Sequence, residues 1–218
     1  MRLYKFMSLA NLWRVLEIVH RNRIFCARWQ DLNDPMEGNY ELFYDSPGMQ
    51  GRTNLESKIK ENRDRYRIAS FSKSSTNFLL WSHYADGHKG VAIEVKIDPD
   101  EPNLTPVTYS PFNQIFTEHS DLDLNYPSIF HGKYTAWRYE KEWRIVTTEP
   151  YFSLSTPCRK ILLGPRIERE QSEILRMALP KRVRLVETRI ENSIGENLPR
   201  VVPIKRKAIE SRDGNSNP

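Results

Sequence analysis

The segment Trp137-Arg138-Tyr139-Glu140-Lys141-Glu142-Trp143-Arg144-Ile145 decides how this chain is read. Taken with the two-residue period of a β-strand, it separates into two unlike faces. Trp137, Tyr139, Lys141, Trp143 and Ile145 make one large, mostly apolar face, and Arg138, Glu140, Glu142 and Arg144 make a row of charges of both signs. Aromatic and β-branched residues favour strands, so the apolar face anchors the segment and leaves same-face charges about 7 Å apart. Such a row is either a solvated, cross-paired sheet surface or the floor of a polar cleft. Tryptophans at both ends lean toward the cleft, because a surface ladder does not need so rigid an anchor.

Working outward, the spacing predicts a strand over residues 3–6, then a helix capped by Ser8 with Leu9, Leu12, Leu16 and Val19 on one stripe. Residues 24–27 read as a strand closed by Asn33-Asp34-Pro35, since residues before proline avoid the helical region. Residues 54–65 read as a polar helix, 68–72 as a strand, and Phe78, Trp81 and Ala85 as one face of a short helix. Val91-Ala92-Ile93-Glu94-Val95-Lys96-Ile97 is the cleanest alternating strand, ended by Pro99 and Pro102. Residues 107–109 read as a strand, and residues 111–131 as a long loop with helical turns, a type that is often functional. Beyond the charged segment, strands are expected at 160–164, 182–186 and 201–204, with a helix at 168–179. Strands dominate the middle and the elements do not alternate regularly. The expected class is therefore α+β, with a mostly antiparallel central sheet and flanking helices. One domain over residues 1–209 fits the length, and the polar residues 210–218 read as a disordered tail.

Lys and Arg exceed Asp and Glu by 33 to 28, a surplus that permits nucleic acid or phosphorylated ligands as partners without requiring them. Cys26 and Cys158 make neither a disulfide framework nor a metal pair. The first residues lack a signal peptide's apolar core, and no run reaches the about 18 apolar residues of a membrane span. A cytoplasmic setting away from membranes is the expectation. There is no phosphate-binding P-loop, no glycine-rich dinucleotide loop and no nucleophile elbow around Ser70 or Ser72. His83 and His88 do not have zinc-protease spacing, so no metal site is expected from them.

Two further segments concentrate polar and aromatic groups. In Leu80-Trp81-Ser82-His83-Tyr84-Ala85-Asp86-Gly87-His88-Lys89-Gly90, Trp81 and Tyr84 offer stacking faces, while His83, His88 and Lys89 suit phosphate contact or proton transfer. The plainer alternative makes Trp81 a core residue and puts the histidines in a turn. In Asn33-Asp34-Pro35-Met36-Glu37-Gly38 turn chemistry explains everything except Glu37.

With these segments placed, the chain resembles the bacterial family called domain of unknown function 2971. The likeness runs through Leu3-Tyr4-Lys5-Phe6, Asn33-Asp34-Pro35-Met36-Glu37-Gly38, Ser70-Phe71-Ser72, Leu80-Trp81-Ser82-His83-Tyr84-Ala85, His88-Lys89-Gly90-Val91 and Tyr139-Glu140-Lys141-Glu142-Trp143-Arg144-Ile145, and Ile161-Leu162-Leu163-Gly164 extends it. Met36 stands where the family more often has Phe. That family implies a domain but no reaction. A looser likeness, to the ADP-ribosyltransferase plan, implies one. There an early strand, a Ser-aromatic-Ser strand and a late Glu-bearing strand share one site.

On that likeness Ser70 or Ser72 matches the middle strand and Glu140 or Glu142 the late one. Trp81, His83, Tyr84, Arg138 and Arg144, with Tyr4 and Lys5 on the first strand, are the further candidates to hold NAD by their own chemistry, and Glu142, with Glu140, is read as catalytic. The first strand departs from the plan, because Tyr4-Lys5 replaces its His or Arg. The implied activity is ADP-ribosyl transfer or NAD cleavage, in bacterial defence or toxin-type conflict. A noncatalytic nucleotide or nucleic-acid binding module is the alternative. A third option is a metal-dependent nuclease built on Glu37, Glu140 and Glu142.

Overall fold

In the N-terminal strand Arg2–Met7, Leu3 and Met7 enter the main core while Tyr4 and Phe6 pack against a smaller cluster on the opposite face. That two-sided burial places the strand in the middle of a sheet. The computed structural model describes residues 1–38, 41–43, 52–111, 114–116, 126–192 and 198–204. Its main sheet runs, edge to edge, through Arg200–Pro203, Arg184–Glu191, Lys160–Leu163, Val91–Lys96, Arg2–Met7, Arg67–Ser72, Glu142–Thr147 and Leu104–Pro106. Ala27–Arg28 pairs with Arg67–Ser72 off this path. Lys160–Leu163 and Arg184–Glu191 are parallel, and the other neighbours in this sheet are antiparallel. The fold is α+β with a mostly antiparallel sheet.

The helix Leu12–Arg21 buries Val15, Ile18 and Val19, and Arg169–Ala178 buries Leu175, against the face that carries Leu3, Ile93, Phe71 and Ile145. Ser8, expected to cap a helix, caps instead the 3₁₀ turn Leu9–Asn11 that precedes the first of these, its hydroxyl accepting from the Ala10 N–H at 3.1 Å; the helix itself follows Asn11 without a side-chain cap. The short helix Phe78–Tyr84 covers the opposite face, with Trp81 and Ala85 packed on Ala92 and Leu162. Gly90 is required where this helix returns to the sheet: a Cβ there would lie 2.2 Å from the Met7 carbonyl oxygen.

One irregularity prepares the site. Arg2–Met7 and Arg67–Ser72 share a single register pair, Tyr4 with Ser72. Past that pair the strands part. Lys5 to Met7 pair only with the Val91–Lys96 side, and Ala27–Arg28 covers the far end of Arg67–Ser72 at Ile68 and Arg67. The sheet is split between two of its central strands.

The charged segment is not one strand. Thr135–Glu140 is a 3₁₀ helix, Lys141 turns through the left-handed region at φ 47°, and the strand begins at Glu142. The carbonyls of Tyr139 and Glu140 are satisfied by the Asn77 amide and the Ser72 hydroxyl, at 3.1 and 2.5 Å, rather than by a ladder. With those groups paired elsewhere, strand propensity does not decide the segment. The expected tail at residues 210–218 and most of the expected loop core (117–125) lie outside the described residues. No helix among the described residues is long and apolar enough to cross a membrane.

Candidate functional site: a buried charge cluster in the split of the sheet

Left-handed Lys141 separates two glutamates that then converge. Glu140 ends the 3₁₀ helix, Glu142 starts the strand, and both carboxylates meet the Lys133 ammonium, at 2.7 and 3.1 Å. Glu37 approaches the same nitrogen at 3.5 Å from the turn before Gly38, whose φ of 68° only glycine adopts freely. Glu37, Lys133, Glu140 and Glu142 are each at most 5 % exposed, so these charges are compensated by one another rather than by water.

Arg144 completes the cluster at 0 % exposure. Its Nε and Nη2 donate to Glu142 at 2.7 and 3.1 Å, Nη1 and Nη2 donate to Glu37 at 2.7 and 2.5 Å, and Nη1 also donates to the Phe130 carbonyl at 2.7 Å. All five guanidinium N–H groups are therefore engaged, in two bidentate forks and one carbonyl contact. An arginine so placed holds Glu37 and Glu142; it has no donor left for a diphosphate, and that expected role is corrected.

The environments of the two strand-end carboxylates differ. Burial alone raises Glu142, but the charges of Arg144 and Lys133 and the bonds from Arg144 and Ser70 outweigh it and bring the carboxyl to about 2. Burial also raises Glu140, and there the Glu142 charge adds to it, so that Lys133 and the Tyr84 hydroxyl do not bring the group back down. Tyr84 donates to Glu140 at 2.7 Å, and its own ionisation is driven up by burial and by that carboxylate. Lys133 is held protonated, since Glu142, Glu140 and Glu37 together overcome its burial. Tyr109 accepts the Glu142 N–H at 2.8 Å, its phenol pushed up to about 12 mainly by burial.

Glu37, Tyr84, Lys133, Glu140 and Glu142 face a cavity of about 250 Å³ in the split of the sheet, which Lys5, Ser70 and Ser72 also line. Because the strands have parted there, the cavity also takes lining from the helix Leu12–Arg21, through Arg14 and Ile18.

Of the residues singled out in the sequence, Tyr4, Lys5, Ser70, Ser72, Tyr84, Glu140 and Glu142 line this cavity. Tyr4 also donates to Glu94 at 3.3 Å. Ser72 is a structural hydroxyl, bonded to the Glu140 carbonyl and accepting the Ser74 N–H at 3.0 Å. Three expectations are corrected. Arg138 is exposed, its guanidinium donating to the Tyr109 carbonyl at 3.5 Å, and it does not line the cavity where NAD was expected. Trp81 is wholly buried, edge-on to Phe6 at 5.2 Å with its indole N–H on the Ser75 carbonyl, and presents no stacking face. His83 is exposed and packs beside Trp137 and Tyr139, outside the cavity.

Sequence reasoning missed Lys133, in the short strand Gly132–Tyr134, and Arg14. A signal for Lys133 existed, since Glu37, Glu140 and Glu142 outnumber Arg144 and call for a second cation. For the nuclease option the geometry is unfavourable: the lysine ammonium already stands where Glu37, Glu140 and Glu142 would hold a divalent ion. Among the described residues no group of His, Cys, Asp and Glu is arranged to hold a metal.

No match to a curated protein or to a solved structure was found. A family model described as "Protein of unknown function (DUF2971)" matches residues 80–145. Over that span, which carries Tyr84, Lys133, Glu140, Glu142 and Arg144, the chain resembles this family.

Proposed function

We propose that the chain cleaves the N-glycosidic bond of NAD⁺, transferring ADP-ribose to water or to an acceptor. One observation carries this: two buried carboxylates on the wall of one cavity have unlike partners, Glu142 forked by Arg144 and bonded to Lys133, Glu140 bonded to Lys133 and the Tyr84 hydroxyl, so that Glu142 is held down to about 2 while burial keeps Glu140 up. Such a split assigns different roles to like groups. As the bond from C1′ to the nicotinamide nitrogen breaks, the electron pair neutralises the pyridinium and positive charge grows on the sugar. Glu142, fixed and ionised, stabilises that charge without reorganising. The incoming oxygen then bonds to C1′ and gives its proton to Glu140, whose raised affinity suits a general base.

The cavity, about 250 Å³, lies near the lower end of ligand pockets. That volume suits a base and its ribose, with the remainder of the dinucleotide extending from the mouth. The test is mass spectrometry of a reaction of the purified protein with NAD⁺ and cell extract. Free nicotinamide together with ADP-ribose, or with an ADP-ribose adduct on a protein, is expected. Binding of NAD⁺ with no nicotinamide released would replace this proposal with a noncatalytic nucleotide-binding module.

A further inference from the structure

The same cavity is also lined by two cations outside the carboxylate cluster, Lys5 and Arg14, and by Asp31 and Asp34. Lys5 occupies an inward position of its strand, between the core residues Leu3 and Met7, where an apolar side chain would be usual. Its ammonium donates to the Ser70 carbonyl at 3.2 Å and lies 5.4 Å from the Phe71 ring. Arg14 stands one turn before buried Ile18, with its guanidinium 4.3 Å from the Phe25 ring and 5.1 Å from the Trp13 ring. The Arg14 Nε is buried with no hydrogen-bond partner. Neither cation forms an ion pair among the described residues, whereas Lys133 and Arg144 are fully engaged. An unpaired N–H and two cations without an ion-pair partner, held by a carbonyl, aromatic rings and the more distant Glu142 charge, are a cost to the empty protein that a bound anion reduces.

We propose that Lys5 and Arg14 form an anion subsite that takes the 5′-phosphoryl group of a ribosyl ligand held in this cavity. Ser70 fixes the spacing. Its carbonyl accepts from Lys5 at 3.2 Å and its hydroxyl donates to Glu142, so a single residue lies between the two ends of the site. A ribose spans that interval, with its 5′ position toward Lys5 and its C1′ toward Glu142. Burial, opposed by the Cys26 and Glu142 charges and joined by that of Arg14, lowers the Lys5 amine to about 8, so the proton is retained at neutral pH and a bound phosphate holds it more firmly. The subsite deepens the glycosidic proposal above and rests on it for the ligand's sugar and base.

The test compares two ligands that differ only in this phosphate, nicotinamide mononucleotide and nicotinamide riboside, by calorimetry at physiological salt. The wild-type protein is expected to bind the mononucleotide at least tenfold more tightly. Lys5→Met and Arg14→Met should each reduce that preference severalfold, and the double variant should remove it. Lys181→Met, which deletes an exposed charge elsewhere, should leave it intact. Arg14 lies on a half-buried helix face, so Arg14→Met answers the question even where Lys5→Met does not fold. Equal affinity for both ligands, a preference that survives the double variant, or binding of neither ligand overturns the subsite. Lys5-dependent phosphate preference without nicotinamide release overturns the cleavage proposal alone. Release without phosphate preference overturns the subsite alone.

Discussion

Replacing Lys133 by Met retains the stem and removes the ammonium that Glu140, Glu142 and Glu37 share at 2.7, 3.1 and 3.5 Å. Removing one partner of a buried ion cluster costs about 3–5 kcal/mol, because the remaining charges lose their compensation. The pH dependence makes the prediction specific. In the wild type, Glu142 falls from 4.5 to about 2, so its contribution, about 3 kcal/mol, is present above the unfolded value and is lost as pH drops toward 2. Lys133 is raised from 10.5, so its share is present below that value and disappears only in strong alkali. Both are fully present between about pH 5 and 10.

In Lys133→Met, Glu140 keeps its burial and the Glu142 repulsion but loses its attracting cation, so it retains a proton to still higher pH. The variant therefore loses stability as pH rises through neutrality. Its deficit against wild type should widen between pH 5 and 8 by up to about 1.4 kcal/mol per unit. Urea denaturation at several pH values measures this directly. A deficit under about 1 kcal/mol at pH 7.5, or one that does not change with pH, refutes the shared-ammonium account.

Other substitutions probe the scaffold. Gly90→Ala forces a Cβ to 2.2 Å from the Met7 carbonyl, so it should cost about 3 kcal/mol and lower the melting temperature markedly. Lys141 sits at φ 47° between the two glutamates, so Lys141→Gly should be neutral or stabilising by up to about 1 kcal/mol. Lys141→Val, β-branched in the same conformation, should destabilise in the same melting experiment. Deleting residues 210–218, whose composition lacks the apolar groups to offset ordering entropy, should leave the melting temperature unchanged.

Much of the scaffold was legible because its signals are local. Val91–Lys96 alternates and is followed by prolines, Ser8 caps the turn after the first strand, and Phe78 marks the start of a short helix. Glu140, Glu142 and Tyr84 were legible as a group because two acidic residues and a nearby aromatic segment stood out. What the sequence concealed was the break at Lys141. A 3₁₀ turn followed by a strand carries the same residues as one continuous strand, and only the bonds from Ser72 and Asn77 choose between them. The fork from Arg144 to Glu37 spans 107 positions, and no local pattern announces a contact fixed by topology. Arg14 was hidden for a different reason: an arginine beside Trp13 on an amphipathic helix looks like a solvated flank until the split of the sheet is seen.

Release of nicotinamide from NAD⁺ by wild type, Glu142→Gln and Glu140→Gln, normalised to folded protein, tests the assignment of the two carboxylates most directly. The structure predicts that Glu142→Gln also loses stability, since Arg144 and Lys133 each lose a charged partner, so the assay is run below its measured melting transition. Wild type is expected to release nicotinamide. Glu142→Gln should fall by at least a hundredfold in kcat with KM little changed, and Glu140→Gln should fall less. Full activity in folded Glu142→Gln, or a larger loss in Glu140→Gln, would contradict the account.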